Sequence, residues 1–316
     1  MDVKKPVILI NLSSSSSHDI THEVTHFFER YGYGRPPVLI GESGAMEQMM
    51  DAMRKERGDI LIGFGGDGTA AAVASIAREQ NVPFIPLPGG TMNMLMQGLY
   101  ASDKWESCLL RALSCAAPRP MTAAIVSDAR GERGRAMVGC MFGKPTQMSE
   151  AREELRDGNV VDAVSGALGA LRDTRDGPPL YFALDEGDYD GRPLELINVT
   201  CPFMDADATD PDALDISLFD TVTGASTISL GFNALLGQLR EAKQVDSVRT
   251  RAFRLRADDT IVGVLDGEPH EFEGEVHVEL VHDSGLVLAP APPTAYPKSR
   301  PGDLIDDHEK PSRLLQ

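Results

Sequence analysis

The fold is decided by one stretch: Asp59-Ile60-Leu61-Ile62-Gly63-Phe64-Gly65-Gly66-Asp67-Gly68-Thr69, an Ala-rich run to Gln80, then Phe84-Ile85-Pro86-Leu87-Pro88-Gly89-Gly90-Thr91-Met92-Asn93. Ile60 to Phe64 is short, apolar and bounded by a turn, as a buried strand is. Gly65, Gly66 and Gly68 let the backbone turn sharply and approach a ligand closely. A helix is expected to begin near Thr69, with Ala72, Val73, Ile76 and Ala77 on one face. Its free N–H groups would face the turn and form an anion site. Asp67 lies inside that turn. Its carboxylate repels bare phosphate and suits a magnesium-bound one. The second strand repeats the arrangement, with a Gly pair and Thr91 opening the next helix.

Upstream, Val7–Ile10 predicts a first strand ending at Asn11, with five serines, Ser13 to Ser17, after it. In an open α/β sheet that loop lies on the ligand edge. Ile20, Val24, Phe27, Phe28 and Tyr31 recur at helical spacing, and Val38–Ile40 predicts a second strand. Met46, Met49, Met50 and Met53 line the next helix and read as core. Asp103 and Glu106 are placed to form a capping box for a helix through Leu109, Leu110 and Leu113. This alternation predicts a parallel, doubly wound sheet with right-handed crossovers.

The texture changes near Pro118–Pro120. Ala123–Ser127 and Ala136–Phe142 read as strands around a turn at Arg130–Gly134. Thr146–Leu171 reads as a helical insertion that walls a pocket or covers a sheet. Tyr181–Leu184, Leu194–Thr200 and Leu214–Phe219 read as strands, Leu230–Leu239 as a helix, and Arg251–Leu288 as short strands. The second half is thus expected to be an antiparallel β-sandwich. After Pro290 the chain is Pro-rich and charged, the composition of a disordered tail.

A chain of 316 residues holds two cores, and 42% apolar content is ordinary for a soluble protein. No run approaches the roughly 18 apolar residues of a membrane span, and no secretory signal is visible after Met1. Cys108, Cys115, Cys140 and Cys201 lack metal-type spacing, so reduced thiols and the cytoplasm are expected. A net charge of −18 argues against nucleic acid and against general basic docking on anionic lipid.

Two motifs point elsewhere. Gly63-x-Gly65-x-x-Gly68 satisfies a dinucleotide fingerprint, but Leu87-Pro88-Gly89-Gly90 stands where the ribose-binding acid belongs, which disfavours an NAD oxidoreductase. His22-Glu23-Val24-Thr25-His26 is a literal HExxH, but no third ligand of the zincin pattern follows.

Gly65-Gly66-Asp67-Gly68-Thr69, followed by the Pro-x-x-Gly-x-Thr-x-Asn element at Pro86–Asn93, resembles the diacylglycerol kinase catalytic domain. That family is similar to sphingosine and ceramide kinases and distantly to NAD kinase. The resemblance covers roughly residues 5–290. It implies a nucleotide-binding α/β domain over 1–120, a β-sandwich lipid-substrate domain over 121–285, residues 286–292 returning to the first domain, and a tail over 293–316. It also implies an ATP- and Mg2+-dependent lipid kinase, cytoplasmic and peripherally membrane-associated, acting on diacylglycerol-like or ceramide and sphingoid lipids. A homodimer is compatible with it. Asn11, Gly65, Gly66, Asp67, Gly68, Thr69, Gly90, Thr91 and Asn93 would grip the nucleotide. Leu265-Asp266-Gly267-Glu268 matches the family's Asp-Gly-Glu. Glu268 would take the proton of the lipid hydroxyl, Asp266 would hold magnesium or orient that hydroxyl, and Asp67 competes for the base role. Asp212-Ala213-Leu214, with Thr209 before it, matches a structural magnesium site through Asp212, Thr209 and Leu214.

The chain departs from the pattern in two places. Asn11-Leu12-Ser13 replaces Asn-Pro-x-Ser-Gly, and Met94 replaces the Asp of many bacterial relatives, which raises the weight of a sphingoid or ceramide substrate. One rival is an NAD kinase, whose Gly-Ser-Thr-Ala-Tyr run is only faintly matched by Pro293-Thr294-Ala295-Tyr296. The other is a non-catalytic nucleotide or lipid sensor, which Asp67 and Glu268 disfavour.

Overall fold

The computed structural model describes residues 5–12, 20–41, 45–90, 93–115, 117–143, 178–202, 212–220, 246–266 and 268–290. The expected helices at 146–171 and 230–239, the tail after 290, Thr91 and Thr209 lie outside them.

The first half alternates as its periodicity dictates. It runs β1 (Pro6–Asn11), α1 (Thr21–Arg30), β2 (Val38–Gly41), α2 (Met46–Lys55), β3 (Ile60–Gly65), α3 (Asp67–Gln80), β4 (Pro83–Pro88), α4 (Met94–Tyr100) and α5 (Trp105–Leu113). Strands β1, β3 and β4 are almost wholly buried, which is why they read as continuous apolar runs rather than alternating ones. Their sheet has the order β2-β1-β3-β4, all parallel, continued by two short edge strands, β17 (Leu286–Val287) and β5 (Arg119–Pro120). β17 pairs parallel with β4 and antiparallel with β5, so the last described segment returns to the first sheet.

Three local expectations need correction. Helix α3 opens at Asp67, two residues before Thr69. Helix α4 opens at Met94, with Asn93 as N-cap in a left-handed conformation, not at Thr91. Helix α5 has no capping box: Lys104 occupies the N-cap without a side-chain bond.

The second half is antiparallel. Its strands are β6 (Ala123–Asp128), β7 (Gly131–Ala136), β8 (Gly139–Gly143), β9 (Tyr181–Leu184), β10 (Leu196–Thr200), β11 (Leu214–Phe219), β12 (Asp246–Thr250), β13 (Ala252–Arg256), β14 (Ile261–Leu265), β15 (Glu268–Phe272) and β16 (Val276–Val281). They make a six-stranded sheet, β12-β11-β10-β8-β14-β15, and a five-stranded one, β7-β6-β16-β13-β9. A single core is buried between them, including Phe142, Ile197, Phe253 and Phe272.

The run read as one strand, Ala136–Phe142, is two. The chain leaves one sheet at Ala136 and enters the other at Gly139. Met137 and Val138, between them, are buried in the α/β core, whereas Ala136 and Cys140 belong to the sandwich core. This junction therefore touches both cores.

Among the described residues no helix is long and apolar enough to cross a membrane.

Candidate active site

Strand order 2-1-3-4 puts the topological switch between β1 and β3, where α/β sheets open a crevice at their carboxyl ends. Asn11 ends β1 and Gly65 ends β3 there. The Asn11 amide donates to Thr69 Oγ1 at 2.9 Å, tying the first strand's end to the first turn of α3.

The two glycine pairs lie against each other. Gly89 N–H donates to Gly65 O at 2.9 Å. A methyl group at Gly90 would stand 2.5 Å from Gly66 Cα, a distance no side chain tolerates. Glycine is needed for this close approach of two backbones. Asn93 fixes the second turn by a reciprocal pair: Gly90 N–H donates to Asn93 Oδ1 at 2.8 Å, and Asn93 Nδ2 donates to Gly90 O at 2.6 Å.

Asp67 is half-buried at the start of α3, and it also serves α4. Its two oxygens accept the N–H groups of Met94 at 3.1 Å and Leu95 at 2.9 Å. These are orphan donors of a helix N-terminus, and the two bonds fix the carboxylate's orientation. Met94 thus meets Asp67 through its backbone, which its departure from the family's acid does not disturb.

From the sandwich side come Asp266 and Glu268. Asp266, at φ 46°, turns the β14–β15 hairpin in the left-handed region. Its carboxylate accepts three N–H groups of the inter-core junction, from Met137 at 2.7 Å, Val138 at 2.9 Å and Gly139 at 3.0 Å. The residue keeps some exposed surface, but protein closes around the carboxyl group itself. Burial pushes its pKa up to about 6, against those three bonds, and the negative charge of Asp67 raises it further. The two carboxylates, one from each half of the chain, therefore feel each other.

Glu268 is exposed at the start of β15. A methyl group at Gly68 would lie 3.5 Å from Glu268 Oε1, so this carboxylate sits over the first turn of α3. Among the described residues no hydrogen bond or ion pair engages its side chain. The site thus assembles Asn11, Gly65, Gly66, Asp67, Gly68, Thr69, Gly90 and Asn93 from the α/β half with Asp266 and Glu268 from the other.

Asp212 is exposed and pairs with the sandwich's His282, 3.3 Å from its Nε2. Leu214 beside it is buried in the sandwich core, and no group of three metal-binding side chains occurs among the described residues. His22 and His26 are exposed on α1, their rings 6.4 Å apart.

Magnesium and ATP suit the residues present. Two glycine turns at a helix N-terminus let a phosphate approach the backbone closely, and the repulsion that Asp67 exerts on Asp266 is what a divalent cation relieves.

Reading the sequence alone missed the junction at 137–139, the two N–H donors of α4, and His270, two residues beyond Glu268 on the same strand. Only His270 had a signal: in a strand, residues two apart share a face.

Residues 5–124 match the family model for the diacylglycerol kinase catalytic domain. Three solved structures from Bacillus anthracis str. Sterne, all described as diacylglycerol kinases and two of them provisionally, have TM-scores of 0.66, 0.61 and 0.64. They are 15%, 14% and 15% identical, with 92% of this chain and 98% of each of theirs covered. Likeness at that identity speaks for the fold over both halves. No curated protein matches the sequence.

Proposed function

We propose that the protein is an ATP- and Mg2+-dependent lipid kinase that phosphorylates a lipid hydroxyl at the cleft between its two halves. The observation that carries this reading is the convergence of Glu268 on the Gly66–Thr69 turn. A proton acceptor from one half thereby stands over a phosphate cradle from the other. Asn11, Gly65, Gly66, Asp67, Gly68, Thr69, Gly90, Thr91 and Asn93 form the nucleotide side. ATP with magnesium supplies the transferable phosphoryl group and neutralises its charge.

Phosphoryl transfer asks little covalent chemistry of the protein; it asks for alignment and charge compensation. Asp67, aimed by α4, is the residue best placed to hold the metal. Glu268 accepts the proton of the attacking hydroxyl. Asp266 accepts three N–H groups and its carboxyl is closed in by protein, whereas Asp67 accepts two and stays half-exposed, so the role of Asp266 here is to position the 137–139 segment and the hairpin that carries Glu268. Asp212, with Thr209 and Leu214, is retained as a separate structural metal site. Residues 1–120 with 286–292 would form the nucleotide domain and 121–285 the lipid domain, working at a membrane surface from the cytoplasm. Diacylglycerol is favoured over ceramide and sphingoid acceptors, because the matched family is the diacylglycerol kinases.

The test is labelled phosphate transfer from ATP to a panel of diacylglycerol, ceramide, sphingosine and NAD, with and without chelator. Transfer to a lipid that stops in chelator supports the reading. Transfer to NAD alone, or undiminished transfer in chelator, contradicts it.

A further inference from the structure

We propose that His270 is a specificity-determining residue of the acceptor site, donating a hydrogen bond to a carbonyl oxygen that lies beside the reacting hydroxyl of the lipid. The inference rests on the lipid-kinase reading above and goes beyond it by naming what part of the acceptor is recognised and by which side chain.

Glu268, His270 and Phe272 share one face of β15, at successive alternate positions. The environment along that face is graded. Glu268 is exposed over the nucleotide turn, His270 is half-buried, and Phe272 is fully buried in the sandwich core. His270 therefore lies between the Glu268 carboxylate and the closed apolar core, next to any hydroxyl that reaches Glu268.

The imidazole is held in place without being used up. It stacks on Phe272, ring centroids 6.0 Å apart at 17°, and Phe272 in turn packs against Phe142 at 5.7 Å. The β14 partner of His270 is Gly263, which adds no side chain. On the facing sheet stands Gly134, where a methyl group would come within 3.6 Å of His270 Cε1 and 3.9 Å of Nε2. The side chains of Leu265, Phe142 and Phe272 occupy the space beside these two glycines, so the ring is packed on its apolar side. Among the described residues no hydrogen bond reaches its ring nitrogens, which keep contact with solvent and so can pair with a ligand. Burial holds its pKa below the ordinary histidine value, with Glu268 opposing and Arg133 adding to the shift. At neutral pH the ring is therefore uncharged and offers one N–H.

Positions two apart on a strand are separated by about 7 Å. The hydroxyl of a 1,2-diacylglycerol and its nearest ester carbonyl oxygen are linked through carbon, carbon, ester oxygen and carbonyl carbon. A ceramide has the same linkage with amide nitrogen in place of ester oxygen. Both can put a hydroxyl at Glu268 and a carbonyl at His270. Dialkyl ethers and sphingosine cannot.

The experiment measures transfer from labelled ATP, in detergent micelles, to two matched pairs: dioctanoylglycerol against dioctylglycerol ether, and a short-chain ceramide against sphingosine. The variants are His270→Phe, which keeps the stack and deletes the donor, and His270→Gln, which keeps a donor. The wild type should prefer the carbonyl-bearing member of the pair it accepts. H270F should raise KM for that member about tenfold, the worth of one hydrogen bond of about 1.4 kcal/mol, and leave kcat and the KM of its partner nearly unchanged. H270Q should keep most of the preference. Which pair responds identifies ester or amide. A wild type indifferent to the carbonyl, or an H270F that keeps the preference or slows both members equally, would overturn the proposal. A wild type that phosphorylates no lipid would overturn the kinase reading and this inference with it.

Discussion

At the scale of single residues, Asp266 decides how the two halves communicate. Its pKa lies near 6 in the folded chain and near 3.9 in an unfolded one. A carboxylate raised by folding binds its proton more tightly in the native state, so its contribution favours folding below about pH 4. That contribution is lost as pH rises through 6. Asp266→Asn should remove this part of the pH dependence between about pH 4 and 6, read from denaturant midpoints. It should also cost about 1–3 kcal/mol, because the amide N–H2 cannot accept from Met137. An unchanged pH profile would show that Asp266 titrates normally. Asp67 makes a different prediction. Asp67→Asn should weaken productive Mg-ATP binding in a way that excess magnesium partly restores, measured as the metal dependence of turnover. Loss of activity with normal metal dependence would move Asp67 from metal holder to base. Both positions stand out as acids in glycine turns, but their partners do not. That Asp67 would meet the backbone of residues 94 and 95, and Asp266 that of residues 137–139, depends on distant chain being folded beside them.

At the scale of elements, the parallel strands were legible because burial on both faces leaves only apolar residues to choose. Helices α1 and α2 were legible because their apolar residues recur at helical spacing. The starts of α3 and α4 were displaced by two or three residues because the true first turns use backbone contacts and an Asn in the left-handed region. The Asp103–Glu106 capping motif was present in sequence and unused, since Lys104 holds the cap. The division of 136–142 into two strands was invisible, because a run of residues apolar enough for one sheet is equally fit to bridge two. Gly90→Ala tests the element-level claim that the two turns touch. The added methyl must push Gly66 away, so Mg-ATP affinity by calorimetry should fall at least tenfold. Retained affinity would mean the turns can separate without cost.

At the scale of the molecule, two cores share one chain that passes from the first to the second between β5 and β6, touches both at 137–139 and returns before β17. Val287 and Leu288 are fully buried in the α/β core, Leu288 N–H donates to Phe84 O at 3.0 Å, and Tyr100 Oη donates to Leu288 O at 2.9 Å. The chain that forms the sandwich is thus anchored back to the first sheet. Ending the chain after Asp283 should cost about 3–6 kcal/mol, from burying two aliphatic side chains at about 1.5–3 kcal/mol each. Ending it after Tyr296 should leave the melting temperature and activity nearly unchanged. Equal stability of the two truncations would show that β17 contributes nothing. The two-part architecture was visible in the change of texture near Pro118–Pro120, and the returning strand only through the family resemblance, since Leu286–Ala289 is too short to announce its partner.

The central claim is that Glu268, carried on the sandwich, acts on a hydroxyl over a nucleotide turn carried on the other half. Glu268→Gln keeps the shape of the side chain, removes its basicity and alters no hydrogen bond among the described residues. The decisive measurement is Mg-ATP affinity by calorimetry beside turnover of the accepted lipid for this one variant. The account predicts unchanged affinity with turnover reduced about 10²–10⁴-fold, not restored by magnesium. Near-full turnover in the variant would contradict it.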